Sequence, residues 1–146
     1  MGRRLHLKIN GHLDNKVLFV ITDGRDDASR ETLKEARQRL QQQNGPTLYA
    51  INVSGEDLKP QDREILDSLA ESVGGAAFFP QSLDQLNDIS RAIGHDIRSL
   101  YTIGYRSTNP NPNAGYRTIQ VQAQDPGYRQ LTVRTRKGYY AGEALR

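Results

Sequence analysis

The sequence predicts an α/β fold: a partial doubly wound (Rossmann-like) parallel sheet with helices on both faces, followed by a small antiparallel β extension. Two observations predict this architecture. Over the first two-thirds of the 146 residues, apolar runs of strand length alternate with stretches of helical periodicity. After Leu100 the period falls from about 3.6 residues to about 2, which is typical of antiparallel strands with one covered face.

Three strands are expected in the α/β part. The first, VLFVIT, is a continuous apolar run, as in a strand that is buried on both faces of a sheet. The other two, TLYAINV and AAFF, each follow a helical stretch. The predicted strands are residues 17–22, 47–53 and 76–79.

Three helices are expected between and after these strands. The first ends at Asn44-Gly45-Pro46, since glycine caps a helix and proline cannot continue one. The second begins at Pro60 and closes at Gly74-Gly75. The third is predicted to begin with a capping box formed by Ser82 and Gln85. The predicted helices are residues 28–43, 60–73 and 83–100.

The extension should contain three strands, at 101–106, 116–124 and 129–136, with NPNPNAG and DPG as turns. Four Gly-Tyr pairs occur there, and we expect the tyrosines to cover the small sheet. The first 14 residues are either an edge strand, because Leu5, Leu7 and Ile9 alternate with polar residues, or a truncation stump. The predicted organisation is therefore 1–14, 15–100 and 101–146.

Composition excludes several classes of protein. The chain has no cysteine, which excludes disulfide scaffolds and thiolate metal sites, and it has no apolar run that could span a membrane. No signal peptide is recognisable. Residues 1–97 carry 12 Lys and Arg against 15 Asp and Glu, whereas residues 98–146 carry 8 against 2. The basic segment could meet an anionic partner, but we favour arginines on the solvent face of strands.

Three aspartates crowd the turn after the first predicted strand: Asp23, Asp26 and Asp27. Ligands collect at the carboxyl ends of parallel strands, which is where this turn lies. Three interpretations remain open. Asp27 or Ser29 caps the next helix, or oxygen ligands hold Mg²⁺, Mn²⁺ or Ca²⁺, or Asp23 is a nucleophile or general base. The triplet Asn52-Val53-Ser54 matches a glycosylation site, which we interpret as chance.

Several segments, taken in order, resemble a known family. In the α/β part they are VLFVITDGRDDAS, TLYAINV and LAESVGGAAFF, and in the tail they are YTIGY, GYRTIQVQ and VRTRKGYYA. The first three are similar to the second half of a von Willebrand factor type A domain. The tail is similar to the extension of a bacterial subgroup, the von Willebrand factor A-related proteins abundant in acidobacteria. The resemblance covers about residues 15–141.

This resemblance implies a metal-ion-dependent adhesion site that is incomplete here. The family builds it from Asp-x-Ser-x-Ser, a threonine in a later loop, and the Asp of Ser/Thr-Asp-Gly. Only the last matches, and it carries over to Asp23. Weak binding of Mg²⁺, or of Mn²⁺ or Ca²⁺, is therefore expected at Asp23, with Asp26 and Asp27 as possible further ligands. The binding loop would comprise Thr22, Gly24, Arg25 and Ser29.

The resemblance also implies that this sequence corresponds to the C-terminal half of the domain. The first strand would then lack a neighbour on one edge, and an apolar edge invites pairing. Either residues 3–9 fold back over it or two chains associate, and we favour a homodimer formed by strand pairing or swapping.

The leading functional interpretation is a non-enzymatic interaction module that recognises an acidic side chain of a protein partner. The first alternative is a Mg²⁺-dependent hydrolase or phosphotransferase that uses Asp23. The second is a basic β-sheet that binds anions or nucleic acid, although no nucleic-acid-binding motif is present. An extracytoplasmic location, secreted or periplasmic, is implied by the resemblance.

Overall fold

The computed structural model describes residues 16–23, 33–111 and 115–142. Its strands and helices, in chain order, are β1 (Val17–Thr22), α1 (Leu33–Leu40), β2 (Thr47–Asn52), α2 (Pro60–Ser72), β3 (Ala76–Phe78), α3 (Leu86–Arg98), β4 (Gly115–Thr118) and β5 (Gly138–Ala141). Short 3₁₀ turns lie at Gly55–Asp57 and Leu83–Gln85. The predicted edge strand or stump at 1–14 falls outside the described residues.

The strands form two sheets. In the larger one the order is β1-β2-β3 and both pairings are parallel, with Val17 beside Thr47 and Tyr49 beside Ala76. The smaller sheet pairs β4 with β5 in antiparallel orientation. The predicted fold class, a parallel sheet with a separate antiparallel extension, is confirmed.

Helices cover both faces of the parallel sheet. On one face, Leu69 and Ala70 of α2 and the following Val73 pack with Leu40 of α1 against Leu48. Crossovers that advance in one direction along a parallel sheet place their helices on the same side, which explains why α1 and α2 share this face. On the other face, the apolar side of α3 packs against β2 and β3. Its contacts there involve Leu86, Ile89, Ile93, Tyr49, Ile51 and Phe78.

Strand β1 departs from the prediction of a strand buried on both faces. Its bounds are as predicted, but Leu18, Phe19 and Ile21 are exposed, while β2 is almost wholly buried. The physical reason is position: β1 lies at the edge of the described sheet, and Val17 is its only residue that packs in the α3 core. An apolar run predicts burial from composition alone and cannot indicate which strand is the outer one.

The end of α2 shows why the chain has two successive glycines there. Gly74 has a φ of 82°, and its N–H bonds the carbonyl of Glu71 while the N–H of Gly75 bonds that of Ala70, which is a Schellman cap. A Cβ on Gly75 would lie 1.8 Å from the carbonyl oxygen of Leu48. The glycine pair therefore both ends α2 and allows β3 to start against β2.

The other two helices differ from prediction at their ends. Helix α1 is described from Leu33 and ends at Leu40, three residues before the predicted end, since Gln42 bridges to the extension instead. The capping box was wrong: Ser82 makes no side-chain cap bond, and Gln85 accepts from the N–H of Gln81 at 2.9 Å. The segment 83–85 is a 3₁₀ turn, so the α-helix starts at Leu86.

The extension contains less strand than predicted. Residues 101–106 and 129–136 form no strand, and Gly138–Ala141 was missed. Of the second predicted strand only residues 116–118 lie in one, which is β4 (Gly115–Thr118). Alternating polarity indicates an extended chain with one covered face, but not a hydrogen-bonded neighbour. Within the described residues, the 129–136 segment instead contacts the α/β part, where Arg134 bonds Asp96 of α3 and Arg136 bonds the turn after α1.

Residues 134–140, which we call the strap, fasten the extension to the α/β part. The N–H of Lys137 bonds the carbonyl of Ser72 at 3.1 Å, and the N–H of Tyr140 bonds that of Gln41 at 2.9 Å. Gln41 directly follows α1 and Ser72 ends α2, so both acceptors lie between the end of a helix and the start of the next strand. The strap therefore lies at the amino edge of the parallel sheet, opposite the edge where Asp23 lies.

Candidate functional site

The carboxyl edge of the parallel sheet brings together the ends of β1 and β2. Asp23 directly follows β1, and the N–H of Val53 donates to the carbonyl of Thr22 at 2.8 Å. This bond holds the residues after β1 beside those after β2. In parallel sheets this edge is where ligands bind, because loops rather than helices cover it.

The end of β2 adds a polar pair to this edge. Asn52 is only 3% exposed, and its side-chain oxygen accepts from the N–H of Ser54 at 3.0 Å and from the Ser54 hydroxyl. This arrangement is an Asx turn that directs the chain away from the sheet. A buried Asn52 is no glycan acceptor, so the triplet has a structural role. An Asn that ends a buried parallel strand, two residues before a serine, was the signal that sequence reasoning missed.

The structure describes only part of the predicted site. Thr22, the last residue of β1, and Asp23, which follows it, lie at the carboxyl edge as expected. The remaining predicted residues, which are Gly24, Arg25, Asp26, Asp27 and Ser29, lie outside the described residues. Their proximity to Asp23 in space stays a prediction.

The donor chemistry at this edge suits a hard divalent cation but supplies few ligands. A carboxylate at Asp23 and hydroxyls at Thr22 and Ser54 are the oxygen ligands that Mg²⁺ and Ca²⁺ prefer. In the part of the chain that the structure describes, no group of three or more acidic or histidine side chains could hold a metal ion. An ion at Asp23 would therefore need ligands from residues 24–32, water or a partner.

A second polar cluster lies in the extension. The hydroxyl of Tyr105 donates to that of Tyr139 at 2.9 Å, and Arg117 Nη1 donates to the same Tyr139 oxygen at 3.4 Å. The two hydrogen bonds received, the one from Tyr105 first, lower the pKa of Tyr139. Burial and the donated hydrogen bond raise the pKa of Tyr105 to about 12. The guanidinium of Arg117 also donates to the carbonyl of Asn111 at 2.6 Å, which fixes the cluster to the preceding loop.

The basic charge of the extension is largely used within the chain. Arg134 forms an ion pair with Asp96 of α3, and Lys137 Nζ lies 2.8 Å from a carboxylate oxygen of Glu71 in α2. Arg136 binds backbone carbonyls after α1, and burial lowers its pKa. Two basic residues of the extension, Arg134 and Lys137, are thus paired with acidic residues of the α/β part.

Among the residues that the structure describes, no helix combines the length and apolar composition that crossing a bilayer requires.

Comparison with known proteins agrees with this architecture. The family model for the von Willebrand factor type A domain matches residues 6–92. A solved structure entitled "Crystal Structure of Uncharacterized Membrane Spanning Protein from Vibrio fischeri" is similar, with 20% sequence identity and a TM-score of 0.48. The similarity covers 57% of this chain and 47% of that one, so this chain spans about half the length of the Vibrio fischeri protein. Among curated protein sequences, none matches the chain significantly.

Proposed function

Because the chain belongs to the von Willebrand factor type A domain family, with residues 6–92 of its 146 matched, we propose that it is a non-enzymatic interaction module with an adhesion or scaffold role. Domains of this family generally bind other proteins. The observation that carries the proposal is the position of Asp23, which directly follows a parallel strand at the carboxyl edge of the sheet.

We further propose an incomplete metal-ion-dependent adhesion site at this edge. Asp23 would contribute to holding Mg²⁺, or Mn²⁺ or Ca²⁺, with help from Asp26 and Asp27. Thr22, Gly24, Arg25 and Ser29 would form the binding loop. An acidic side chain of the protein partner would complete the coordination. Because one described carboxylate is too little to hold an ion tightly, metal and partner would bind cooperatively.

The remaining parts of the proposal follow from the family resemblance. The chain would represent the C-terminal half of a domain of the bacterial, acidobacterial von Willebrand factor A-related subgroup, with an extracytoplasmic location. Its organisation would be an N-terminal segment at 1–14, the α/β part at 15–100 and the extension at 101–146. We also propose that the chain forms a homodimer by strand pairing or swapping.

The alternative of a basic sheet that binds anions or nucleic acid is less well supported. Arg134 and Lys137 pair with acidic residues of the same chain, and Arg136 binds backbone carbonyls. Nucleic-acid binding through phosphate contacts requires basic side chains that can leave their own partners for the phosphate.

The test is a thermal-melt titration of the full chain and of Asp23→Ala with Mg²⁺, Mn²⁺ and Ca²⁺. A ligand that binds only the folded state stabilises it by RT ln(1 + [L]/Kd), which is about 2.7 kcal/mol at 100 times Kd. We expect the parent chain to gain stability with the ion and Asp23→Ala to gain none.

The matched control is Asp67→Ala, which removes an exposed aspartate from the middle of α2. It should respond to the ion as the parent chain does. If the parent chain gains no stability with any ion, or if Asp23→Ala gains as much, the proposed metal site is wrong.

A further inference from the structure

The backbone of β1 has one edge that no described strand uses. The carbonyls of Lys16 and Thr22 accept bonds from the β2 side, from the N–H groups of Thr47 and Val53. Backbone groups of successive strand residues point to opposite edges. The N–H and C=O groups of Val17, Phe19 and Ile21 therefore point to the outer edge, with which no strand pairs in the part of the chain that the structure describes.

The side chains along this edge are apolar and exposed. Leu18 is 40% exposed, Phe19 46% and Ile21 63%. Phe19 and Ile21 lie on the α3 face of the sheet beside Tyr49 and Ile51, whereas Leu18 lies on the α1–α2 face. Described residues include no charged side chain within β1, although charge is the usual protection of an edge strand.

We propose that this edge binds a second copy of the chain, with the two β1 strands antiparallel and Phe19 on the twofold axis. The two three-stranded sheets would then form one six-stranded sheet. This register follows from the outward backbone groups. Only when Phe19 lies opposite Phe19 of the second copy does each of Val17, Phe19 and Ile21 have a hydrogen-bonding partner, because Val17 then faces Ile21.

The same register is complementary in its side chains. On the α3 face, Phe19 meets Phe19 and Ile21 meets Val17, and on the other face Leu18 meets Val20. All three exposed apolar residues of β1 gain a cross-strand neighbour, and such pairs contribute roughly 0.2–1 kcal/mol each. The pattern is self-complementary, as an interface with twofold symmetry requires.

The charges at the two ends of β1 favour an antiparallel pair. Lys16 precedes the strand and Asp23 follows it. Antiparallel pairing places the Lys16 end of each β1 strand beside the Asp23 end of the other, with Lys16 directly opposite Thr22. Because successive side chains point to opposite faces, Lys16 and Asp23 attract each other across the strand ends without forming an ion pair. A parallel pair would place the two aspartates together instead. These end charges, together with the self-complementary apolar pattern of β1, are the reason for assigning the edge to a second copy.

The interface is expected to be reversible. A six-residue strand is only about 20 Å long, and edge-to-edge contact buries less than the ~1,600 Å² of a standard stable interface. The dimer should therefore dissociate on dilution. Sedimentation velocity over a concentration series, with EDTA present, measures this independently of the metal site proposed above.

Cysteine substitution tests the register, since the chain has no cysteine of its own. In the proposed dimer the two Cα atoms at position 19 are about 5.5 Å apart, within the range of about 4.4–6.8 Å that a disulfide bridges. The two Cα atoms at position 21 are displaced along the strands by four residues, about 13 Å. Phe19→Cys should form a covalent dimer on mild oxidation, and Ile21→Cys should not, even though position 21 is the more exposed.

A second pair of variants tests the same interface without oxidation. Phe19→Lys places two lysines opposite each other and should shift the sedimentation series to monomer. The control, Leu83→Lys, changes a site that is 76% exposed and should leave the series unchanged.

Circular dichroism establishes that each variant is folded. A parent chain that is monomeric at every concentration would overturn the proposal and leave residues 3–9 of the same chain as the candidate occupant of the edge. Equal crosslinking at positions 19 and 21 would overturn the register.

Discussion

Arg136 Nη1 donates a hydrogen bond to the carbonyl oxygen of Gln42 at 2.6 Å, across 94 residues of sequence. Its Nη2 donates to the carbonyls of Gly45 and Pro46. These acceptors belong to the turn after α1, and the carbonyl of Gln42 also accepts from the N–H of Gly45. One side chain of the strap therefore satisfies the turn that connects α1 to β2, and the extension becomes part of the folding unit rather than a separate appendage.

The first prediction concerns this contact. Arg136→Ala removes a charged donor from partly buried carbonyls and should lower the free energy of unfolding by about 2–3 kcal/mol. Arg136→Lys keeps the charge but not the planar fork of donors, so it should lose about half as much. Urea denaturation measures both changes.

Arg106→Ala is the control, because Arg106 is exposed in the same extension, and its effect should stay within about 0.5 kcal/mol. If Arg136→Ala is no more destabilising than Arg106→Ala, the strap does not stabilise the amino edge.

The sequence predicts a structural feature when the residues that determine that feature are neighbours in the sequence. The bounds of β1 and the Pro60 start of α2 follow from short patterns, and both are found. The strap is different, because neither alternation nor turn residues indicate that Arg136 binds Gln42. Period-2 alternation in 129–136 led instead to a strand prediction. Contacts between distant segments depend on packing that a local pattern does not contain.

The candidate site shows the same division. Asp23 is recognisable because it follows an apolar strand and precedes a glycine, which are neighbours in sequence. The bond between Val53 and Thr22, which places Ser54 near that edge, depends on the register of β1 against β2. Register is a property of the assembled sheet, so the position of Ser54 near Asp23 could not be predicted, although the Asx turn itself is a local pattern.

The second prediction concerns the glycine pair that closes α2. Gly75→Ala would place a Cβ 1.8 Å from the carbonyl oxygen of Leu48, so the buried strand β2 must move. We expect a loss of about 3–4 kcal/mol or a failure to fold. In Gly74→Ala the new Cβ would lie 2.8 Å from the backbone N of Arg136, and alanine would have to adopt a φ of 82°. The expected loss of stability is about 1–3 kcal/mol.

Gly104→Ala is the matched control, since a Cβ there meets nothing within 4 Å. Thermal melts of the three variants should rank Gly75→Ala as least stable and Gly104→Ala as close to the parent chain. A Gly75→Ala protein as stable as the Gly104→Ala protein would contradict the close approach of β3 to β2.

The third prediction concerns the Asx turn after β2. Asn52→Ala removes the acceptor for both the N–H and the hydroxyl of Ser54, in a place where Asn52 is 3% exposed. The expected loss of stability is about 1–3 kcal/mol. Ser54→Ala removes only the hydroxyl donor and should cost less, about 0.5–1.5 kcal/mol. Urea denaturation of the two variants tests this order, and a reversed order would mean that Ser54 has a role beyond the turn.

The last prediction concerns the pH dependence of the tyrosine pair. Donation from Tyr105 lowers the pKa of Tyr139 below its ordinary value of 10.0, while the pKa of Tyr105 itself is raised to about 12. Tyr105→Phe removes the donor, so the pKa of Tyr139 should rise. Tyr139→Phe should lower the pKa of Tyr105 only in part, because burial, the larger cause, remains.

The stability consequences have opposite signs for the two groups. A raised pKa in the folded state means that the contribution of Tyr105 is complete below its ordinary pKa of 10.0 and is lost as pH rises towards about 12. A lowered pKa means that Tyr139 adds stability as pH rises towards 10.0. Between pH 10.0 and about 12, Tyr105→Phe should therefore lose less stability than the parent chain. Ultraviolet absorbance of tyrosinate measures the titrations. The control is Tyr101→Phe, because Tyr101 is 88% exposed. If Tyr105→Phe leaves the pKa of Tyr139 unchanged, the two hydroxyls are not hydrogen-bonded in solution.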